Sequence, residues 1–259
     1  MIEAKRGNSP LTVEKALKVL EEFADAGVPL RISELSDRVS INKSTCYRLL
    51  QALSTRGYVT QDLDSSKYRL GYKILEISNA MLKSIGLRSV ARPHLEQLAR
   101  ETSLTVGLAV RNEWEMVYVD QVDGPGVIRL ELRVGSRWPM HCTAAGKAFL
   151  AFLREEEIED FLLSRNLKKH TRNTIGGAKR LIQELRTIRL TGYAFNNAEY
   201  QKEVKAVGSP VFRTKREVIG SVVAAGPADK IFRAAVESLG NKVRHAAQII
   251  SEAMGCAGE

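Results

Sequence analysis

Three stretches near the N-terminus have apolar residues at every third or fourth position, which is the period of an amphipathic helix. In LTVEKALKVLEEFADAG, the apolar residues Leu17, Leu20 and Phe23 share one face, and RISELSDRVS and KSTCYRLLQALST follow with the same period. Two short β-like runs, YVTQ and KYRLG, then flank the turn sequence DLDSS. The order helix, helix, helix, hairpin predicts a winged helix-turn-helix.

The third of these helices has two contrasting sides. The predicted buried stripe consists of four residues at intervals of three and four: Cys46, Leu49, Leu50 and Leu53. The outward side consists of four polar residues: Ser44, Thr45, Arg48 and Gln51. Asn42 or Ser40 can cap the start of the helix, and Gly57 ends it.

The rest of the chain mixes helical and strand patterns. YKILEISNAMLKS predicts a linking helix, and LTVGLAV, EMVYVDQV and VIRLELRVG are rich in β-branched residues and predict strands. Helices are predicted in TAAGKAFLAFL, EEIEDFLLSR and AKRLIQELRTIRLTG, strands in VKAVGSPVF and VIGSVVAAG, and a last helix from about residue 230 to 254. We therefore predict an α+β protein with a winged helix-turn-helix domain over 1–71, a linker helix over 72–90 and a second domain over 91–259.

Composition and charge narrow the classes of protein. The 259 residues are 44% hydrophobic and 27% charged, with a net charge of +9. No apolar run approaches the roughly 20 residues that span a bilayer, and MIEAKRGNSPLT lacks the apolar region of a secretory signal. We expect a cytoplasmic protein with no membrane partner. The charge alone does not identify a DNA-binding protein, because residues 1–70 hold 11 basic and 9 acidic side chains.

The cysteine and histidine patterns do not indicate a catalytic or metal site. Cys46, Cys142 and Cys256 are far apart and have no metal-finger or disulfide spacing, which fits a reducing cytosol. The adjacent pair His141 and Cys142 could suggest thiol or zinc chemistry, but neighbouring residues rarely face the same ion and no third ligand has a recognisable spacing. AAGKA lacks the first glycine and the Ser/Thr of a phosphate-binding P-loop. We expect no catalytic residue, no metal and no cofactor.

The polar side of the third helix has the chemistry needed to read DNA. A major groove admits one helix, whose outward groups meet base edges and phosphates. Arg48 can pair bidentately with guanine and Gln51 with adenine, while Lys43 and the first-turn N–H groups suit a phosphate. Lys67 and Arg69 in the wing can reach the backbone or the minor groove. The predicted DNA-binding set is Lys43, Ser44, Thr45, Tyr47, Arg48, Gln51, Lys67 and Arg69.

Two regions of the sequence resemble the IclR family of bacterial transcriptional regulators. LSDRVSINKSTCYRLLQALSTRGYV resembles the family's helix-turn-helix and wing strand, and PMHCTAAGKAFLA, NNAEYQKEVKAVGSPVF and VIGSVVAAGP resemble its effector-domain signature. The resemblance runs from about residue 9 to 253. It implies a homodimer, often a dimer of dimers, that binds double-stranded operator DNA and has a GAF-like C-terminal domain for a small-molecule effector.

The resemblance also implies an effector pocket lined by ten residues: Val127, Leu130, Trp138, Ala144, Ala145, Asn196, Val204, Ala206, Val223 and Ala225. Asn42 stands where members often have proline, and Ala206 where they commonly have cysteine. Val223 and Ala225 cannot donate hydrogen bonds from their side chains, and Trp138 supplies a broad apolar ring. We therefore expect an effector with an aromatic or otherwise apolar body and one acid group near the start of the TAAGKA helix.

These observations predict a transcriptional regulator whose operator binding is modulated by a small metabolite. Two alternatives remain open. A small-molecule enzyme built on the C-terminal domain would turn over a metabolite and show no preference among DNA sequences. A winged-helix module that binds proteins would associate with its partner in a salt-insensitive way and have no affinity for DNA.

Overall fold

The computed structural model describes residues 11–84, 86–125, 132–215 and 217–256. The chain divides into two compact units, Met1–Ser84 and Ile85–Glu259, so the predicted linking segment 72–90 is shared between them. Within the described ranges, no helix combines the length and the apolar content needed to cross a membrane.

The N-terminal unit is a winged helix-turn-helix, as predicted. Its elements are α1 (Leu11–Ala26), α2 (Ile32–Val39), α3 (Lys43–Thr55), β1 (Val59–Gln61), β2 (Tyr68–Leu70) and α4 (Tyr72–Ser84). Ser40 ends α2 in the left-handed conformation with φ of 56°, and this turn leads directly into the cap of α3. Asn42 is that cap, and its side-chain oxygen accepts a hydrogen bond from the Thr45 amide at 2.8 Å.

The core of this unit lies between the three helices and the wing. It is formed by Val19, Phe23, Leu30, Leu35, Cys46, Leu49, Leu50, Val59 and Tyr68. Of the apolar residues that the period groups on one face of α1, Leu17 is 53% exposed, whereas Val19, outside that group, is fully buried. The two residues are two positions apart, which is about 200° of helix rotation. Because α1 has apolar residues on both sides, the spacing of these residues alone does not indicate which side is buried.

The wing is closed by backbone contacts at its base. β1 and β2 pair antiparallel, and Leu30 and Tyr68 exchange backbone hydrogen bonds of 2.9 and 2.8 Å, which adds a third chain segment to the hairpin. The Gly71 amide donates to the Tyr58 carbonyl at 2.7 Å. This approach requires glycine, because a Cβ at Gly71 would overlap the carbonyl oxygen of Gly57.

The C-terminal unit is built on one antiparallel sheet with helices on both faces, which confirms the α+β class. Its elements are α5 (Gly86–Thr102), β3 (Thr105–Asn112), β4 (Glu115–Val122), β5 (Arg137–Pro139), α6 (Ala144–Leu150), α7 (Glu155–Ser164), α8 (Ala178–Thr191), β6 (Ala194–Asn197), β7 (Val204–Thr214), β8 (Glu217–Pro227) and α9 (Val236–Ser251). The six strands follow the order β5-β4-β3-β8-β7-β6. Val223 and Ala225 of β8 face a core formed with α6, α7 and α8, and the alternate residues face the side where α5 and α9 pack.

Two predicted elements differ from the structure. In VIRLELRVG, residues 127–131 lie outside the described residues, and 132–135 form no strand but lead into a turn. The last helix begins at Val236 rather than near residue 230. The Lys230 amide instead donates to the Pro227 carbonyl at 2.9 Å, and this turn after β8 delays the start of the helix.

The close approach of Gly71 to Gly57 generates the first prediction. Gly71→Ala should destabilise the wing by roughly 1–3 kcal/mol, because the added methyl group meets backbone that cannot move aside cheaply. Native-state hydrogen exchange of the β1 and β2 amides measures this loss. Gly176→Ala is the control, since a Cβ there meets nothing within 4 Å. Unchanged exchange in Gly71→Ala would show that the base of the wing is not tightly closed.

Candidate DNA-reading surface and effector site

The structure separates the two sides of α3 as the sequence predicted. Cys46, Leu49 and Leu50 are buried, and Leu53 packs partly buried against the same core. Six of the eight predicted DNA-binding residues are exposed, namely Lys43, Ser44, Tyr47, Arg48, Gln51 and Arg69, and the other two, Thr45 and Lys67, are half-buried. The burial of the stripe therefore fixes the rotation of α3 and turns its polar side to solvent.

Hydrogen bonds within α3 orient several of these polar groups. The Asn42 side chain accepts from the Ser44 hydroxyl at 2.9 Å as well as from the Thr45 amide. One turn further on, the Gln51 side-chain amide donates to the Tyr47 hydroxyl at 2.8 Å. Tyr47 is therefore a positioning partner for Gln51. The Tyr47 hydroxyl hydrogen and the second amide hydrogen of Gln51 remain available to a ligand.

Four of the predicted DNA-binding residues are basic: Lys43 and Arg48 in α3, and Lys67 and Arg69 in the wing. Among the described residues, no acidic group forms an ion pair with any of them. The tip of the wing is different, because it carries Asp62 and Asp64. Hydrogen bonds from the Ser65 hydroxyl and amide lower the pKa of Asp62, so its carboxylate is ionised at neutral pH. The Asp62 amide donates to the Lys67 carbonyl at 2.8 Å, so the hairpin carries acidic and basic residues side by side.

In the C-terminal unit, the eight described members of the predicted effector set lie on one side of the sheet. Asn196, Ala206 and Ala225 face each other in register across β6, β7 and β8. Val223 lies in the next row on the same side, opposite Gly208. Val204, Trp138 and the two alanines at the start of α6 pack against the same core. The remaining two predicted residues, Val127 and Leu130, lie outside the described residues.

Small residues let α6 lie directly on the sheet at this place. Thr143 caps α6, and its hydroxyl accepts from the Gly146 amide at 3.1 Å. A Cβ at Gly208 of β7 would approach the Ala144 carbonyl oxygen to 2.7 Å. Ala144 and Ala145 are buried against the strands as a result. Larger side chains at the start of α6 or at this place in β7 would push α6 away from the row formed by Asn196, Ala206 and Ala225.

Trp138 belongs to an aromatic group that the sequence pattern did not reveal. Its ring lies 5.9 Å from that of Tyr118 in an edge contact and 5.0 Å from that of Tyr200. Its indole N–H donates to the Ser136 hydroxyl at 2.9 Å, which holds the ring in place. Tyr118 and Tyr200 come from β4 and from the connection between β6 and β7, so no periodic pattern links them to Trp138.

The buried side chain of Lys147 is another feature that the sequence pattern did not reveal. The Lys147 ammonium is fully buried and donates to Glu184 at 2.9 Å, to Glu199 at 2.6 Å and to the Phe195 carbonyl at 2.7 Å. Burial raises the pKa of Glu199 even though the Lys147 ammonium acts to lower it. The Glu199 amide in turn donates to the Asn196 side chain at 2.8 Å. This network joins α6 to β6 and holds Asn196, a predicted effector residue, in position.

The pair His141 and Cys142 has a third neighbour, contrary to the argument from spacing. His170, from the segment between α7 and α8, brings a ring nitrogen to within 4.8 Å of the ligand atoms of both residues. Burial raises the pKa of Cys142 to about 12. Its thiol is therefore protonated at neutral pH and is a poor nucleophile on its own.

Two protein families match this chain, one near its N-terminus and the other over most of the rest. The family described as "IclR helix-turn-helix domain" matches residues 12–63, and that described as "Bacterial transcriptional regulator IclR C-terminal" matches residues 79–252. The chain belongs to the IclR family of bacterial transcriptional regulators.

Individual IclR-family proteins match over almost the whole chain. The HTH-type transcriptional regulator XynR of Escherichia coli (strain K12) is 30% identical over 244 residues, which cover 94% of this chain and 97% of that protein. The crystal structure of the Thermotoga maritima IclR is also 30% identical, with a TM-score of 0.83 over 94% of this chain and 98% of that chain. An IclR homolog from Microbacterium hydrocarbonoxydans, crystallised with 4-hydroxybenzoate, is 24% identical and shares the fold with a TM-score of 0.82 over 94% and 98% of the two chains.

As an IclR-family member, the chain is a DNA-binding transcriptional regulator whose operator binding is modulated by a small molecule. The winged helix-turn-helix of residues 11–70 and the α+β unit that follows carry these two activities in the family.

The buried lysine network generates the second prediction. Lys147→Met should destabilise the C-terminal unit by about 3–5 kcal/mol, because it leaves the Glu199 carboxylate buried without its cation. Urea unfolding followed by circular dichroism measures the loss. The double variant with Glu199→Gln should recover part of it, since both charges are then removed. If the loss of stability in the double variant equals the sum of the losses in the two single variants, the two side chains are not energetically coupled.

Proposed function

We propose that α3 enters the major groove of an operator and reads base edges with its polar side, and that an apolar carboxylate bound against the C-terminal sheet changes this binding. The observation that carries the first half is the exposed Arg48 at the middle of α3, in the turn between Tyr47 and Gln51, which forms no ion pair with any described residue. A guanidinium left without a carboxylate on a fixed helix face is suited to guanine or phosphate.

The positions along α3 suggest distinct roles. Lys43 and the first-turn amides lie at the N-terminal end, where the helix dipole favours a phosphate. Arg48 and Gln51 are three residues apart on one face and can reach neighbouring base pairs. Tyr47 shares a hydrogen bond with Gln51, so rotation of one side chain constrains the other. Ser44 is within the Asn42 hydrogen-bond network and is available to a base edge or a backbone oxygen.

The wing supplies backbone contacts in this proposal. Its basic side chains, Lys67 and Arg69, approach the phosphates, although Asp62 and Asp64 in the same hairpin reduce the local positive charge. Contacts of this kind predict that the wing contributes affinity that depends on salt but little base specificity.

We propose that the protein acts as a homodimer, with further pairing into a dimer of dimers. Over residues 72–82, the part of α4 whose side chains the structure describes, no residue is buried, and the large side chains of Tyr72, Leu75 and Ile77 are 81%, 57% and 46% exposed. Exposed apolar side chains grouped on one helix mark an interaction surface. Two-fold pairing would place two α3 helices about one turn of DNA apart, roughly 34–36 Å, on a near-palindromic operator.

The proposed effector site is the sheet face that carries Trp138, Asn196, Ala206, Val223 and Ala225. Its side chains are mostly small and apolar, which suits an aromatic or aliphatic body, and Asn196 adds a polar group. A ligand changes DNA binding only if it prefers one arrangement of the protein. We assign the chain no enzymatic activity and place it in the bacterial cytoplasm, where a regulator meets chromosomal DNA.

The third prediction concerns base reading. Arg48→Ala should weaken binding to the best operator by about 1–3 kcal/mol and relax the preference for guanine at one position of each half-site. A fluorescence-anisotropy titration against single-base operator variants measures both effects. Arg56→Ala is the matched control, because Arg56 is exposed at the other end of α3 and should leave the base preference unchanged.

Uniform weakening across all operator variants, with a shallower dependence on salt, would show that Arg48 contacts a phosphate instead. Absence of DNA affinity, together with salt-insensitive binding to a protein, would favour a protein-interaction module.

The fourth prediction concerns the effector. A thermal-shift screen of aromatic acids, keto-acids and hydroxy acids should yield its largest shifts with aromatic acids, because ligand binding stabilises the folded form, by about 2.7 kcal/mol at 100 times Kd. The panel includes 4-hydroxybenzoate as a probe. Trp138→Ala should abolish the shift, whereas Trp114→Ala, which removes a half-buried indole packed on Phe161, should retain it. An undiminished shift in Trp138→Ala would place the effector elsewhere.

A further inference from the structure

A compact group of metal-binding side chains lies next to the proposed effector site. His141 and Cys142 follow β5 and precede α6, and His170 comes from the segment between α7 and α8. One nitrogen of each imidazole and the Cys142 Sγ all lie within 4.8 Å of one another. His141 and Cys142 are buried, and His170 is half-buried.

The backbone that carries these side chains is held on both sides. The Thr143 hydroxyl donates to the Pro139 carbonyl at 2.7 Å, which closes the turn around His141 and Cys142. The His170 amide donates to the Thr174 hydroxyl at 3.0 Å, which anchors the second segment. The two segments that carry the three donors are therefore fixed, and sites held in this way bind metals at low entropic cost.

A metal-bound histidine usually donates a hydrogen bond from the ring nitrogen that does not bind the metal, and His141 has a partner for such a bond. Its Nε2 lies 3.0 Å from the Lys168 carbonyl oxygen. An N–H donated from Nε2 to this carbonyl leaves the lone pair on Nδ1, so the outer hydrogen bond selects the nitrogen that can bind a metal.

The donor set indicates which metal the group would take. One thiolate and two imidazoles suit Zn²⁺, whose bonds of about 2.0–2.3 Å in a tetrahedral site place donor atoms roughly 3.3–3.7 Å apart. The three donor atoms lie within 4.8 Å of one another, so a pair at that upper bound needs to approach by roughly an ångström to reach this geometry. A bound cation deprotonates the thiol that it coordinates.

A cleft gives the group access to solvent. Its volume is about 360 Å³, and its lining includes His141, His170, Tyr200, Glu113 and Glu115. Cys142 is fully buried and does not line the cleft. The lining holds three basic residues, Arg137, Arg165 and Lys168, besides the two carboxylates, and Arg137 lies 3.6 Å from the Glu115 carboxylate. The attraction for a metal ion therefore comes from the three donor atoms and not from the charge of the cleft.

We propose that His141, Cys142 and His170 bind one Zn²⁺ ion per chain, with water or a ligand from the cleft as the fourth donor. The ion joins the turn before α6 to the segment before α8. Tyr200 links this site to the effector face, because its ring lies 4.7 Å from that of His170 and 5.0 Å from that of Trp138. The proposal concerns metal binding alone and does not depend on the DNA-reading role of α3.

The test uses the full-length protein after removal of metal with a chelator and dialysis. Competition with a chromophoric chelator measures Zn²⁺ affinity and stoichiometry, and Co²⁺ replaces Zn²⁺ for absorption spectroscopy. We expect one ion per chain, intense tetrahedral d–d bands and a thiolate-to-cobalt charge-transfer band. His170→Gln should lower the Zn²⁺ affinity at least tenfold, and Cys142→Ser should remove the charge-transfer band.

Two controls change the same residue types elsewhere. His245→Gln alters an exposed histidine and Cys256→Ser a half-buried cysteine, and both should bind like the unchanged protein. Zn²⁺ binding that is equal in His170→Gln and the unchanged protein, or a Co²⁺ spectrum without thiolate charge transfer in the unchanged protein, overturns the proposal. If Cys142→Ser fails to fold by circular dichroism, His170→Gln alone decides.

Discussion

The burial of one apolar stripe determines which side of α3 faces solvent and, in the proposed function, which side binds DNA. Cys46, Leu49 and Leu50 pack into the core of the N-terminal unit, and a helix with three anchored side chains cannot rotate about its axis without exposing them. The direction of Arg48 and Gln51 follows from this constraint. The Asn42 cap fixes where α3 begins, and the closed base of the wing fixes where it ends, so the polar side is presented on a rigid element.

The C-terminal unit depends on a different constraint, which is the close approach of α6 to the sheet. Gly208 and the alanines of α6 make the approach sterically possible, and the Lys147–Glu199 contact holds it from inside. The face that results is mostly small and apolar, with Asn196 as a polar exception. A site of this kind selects ligands by shape and apolar area more than by hydrogen bonds.

Local features of the fold were predictable from the sequence, whereas contacts between distant residues were not. The period of three and four in α3 identified its buried side, and DLDSS identified the wing. The same spacing also grouped the exposed Leu17 with buried residues of α1, because α1 has apolar residues on two sides. Lys147 and Glu199 are 52 residues apart, and no spacing rule connects them. His170 joins His141 and Cys142 only through the packing of the segment before α8, so a rule based on sequence spacing could not identify the group.

The central claim is that α3 reads base edges in the major groove. Methylation interference on an operator selected by the protein from genomic fragments tests it most directly. Methyl groups at guanine N7 project into the major groove, and those at adenine N3 into the minor groove. The account predicts that N7 methylation at two symmetry-related positions, about one helical turn apart, prevents binding. Interference from N3 methylation alone, or from neither modification, would contradict it.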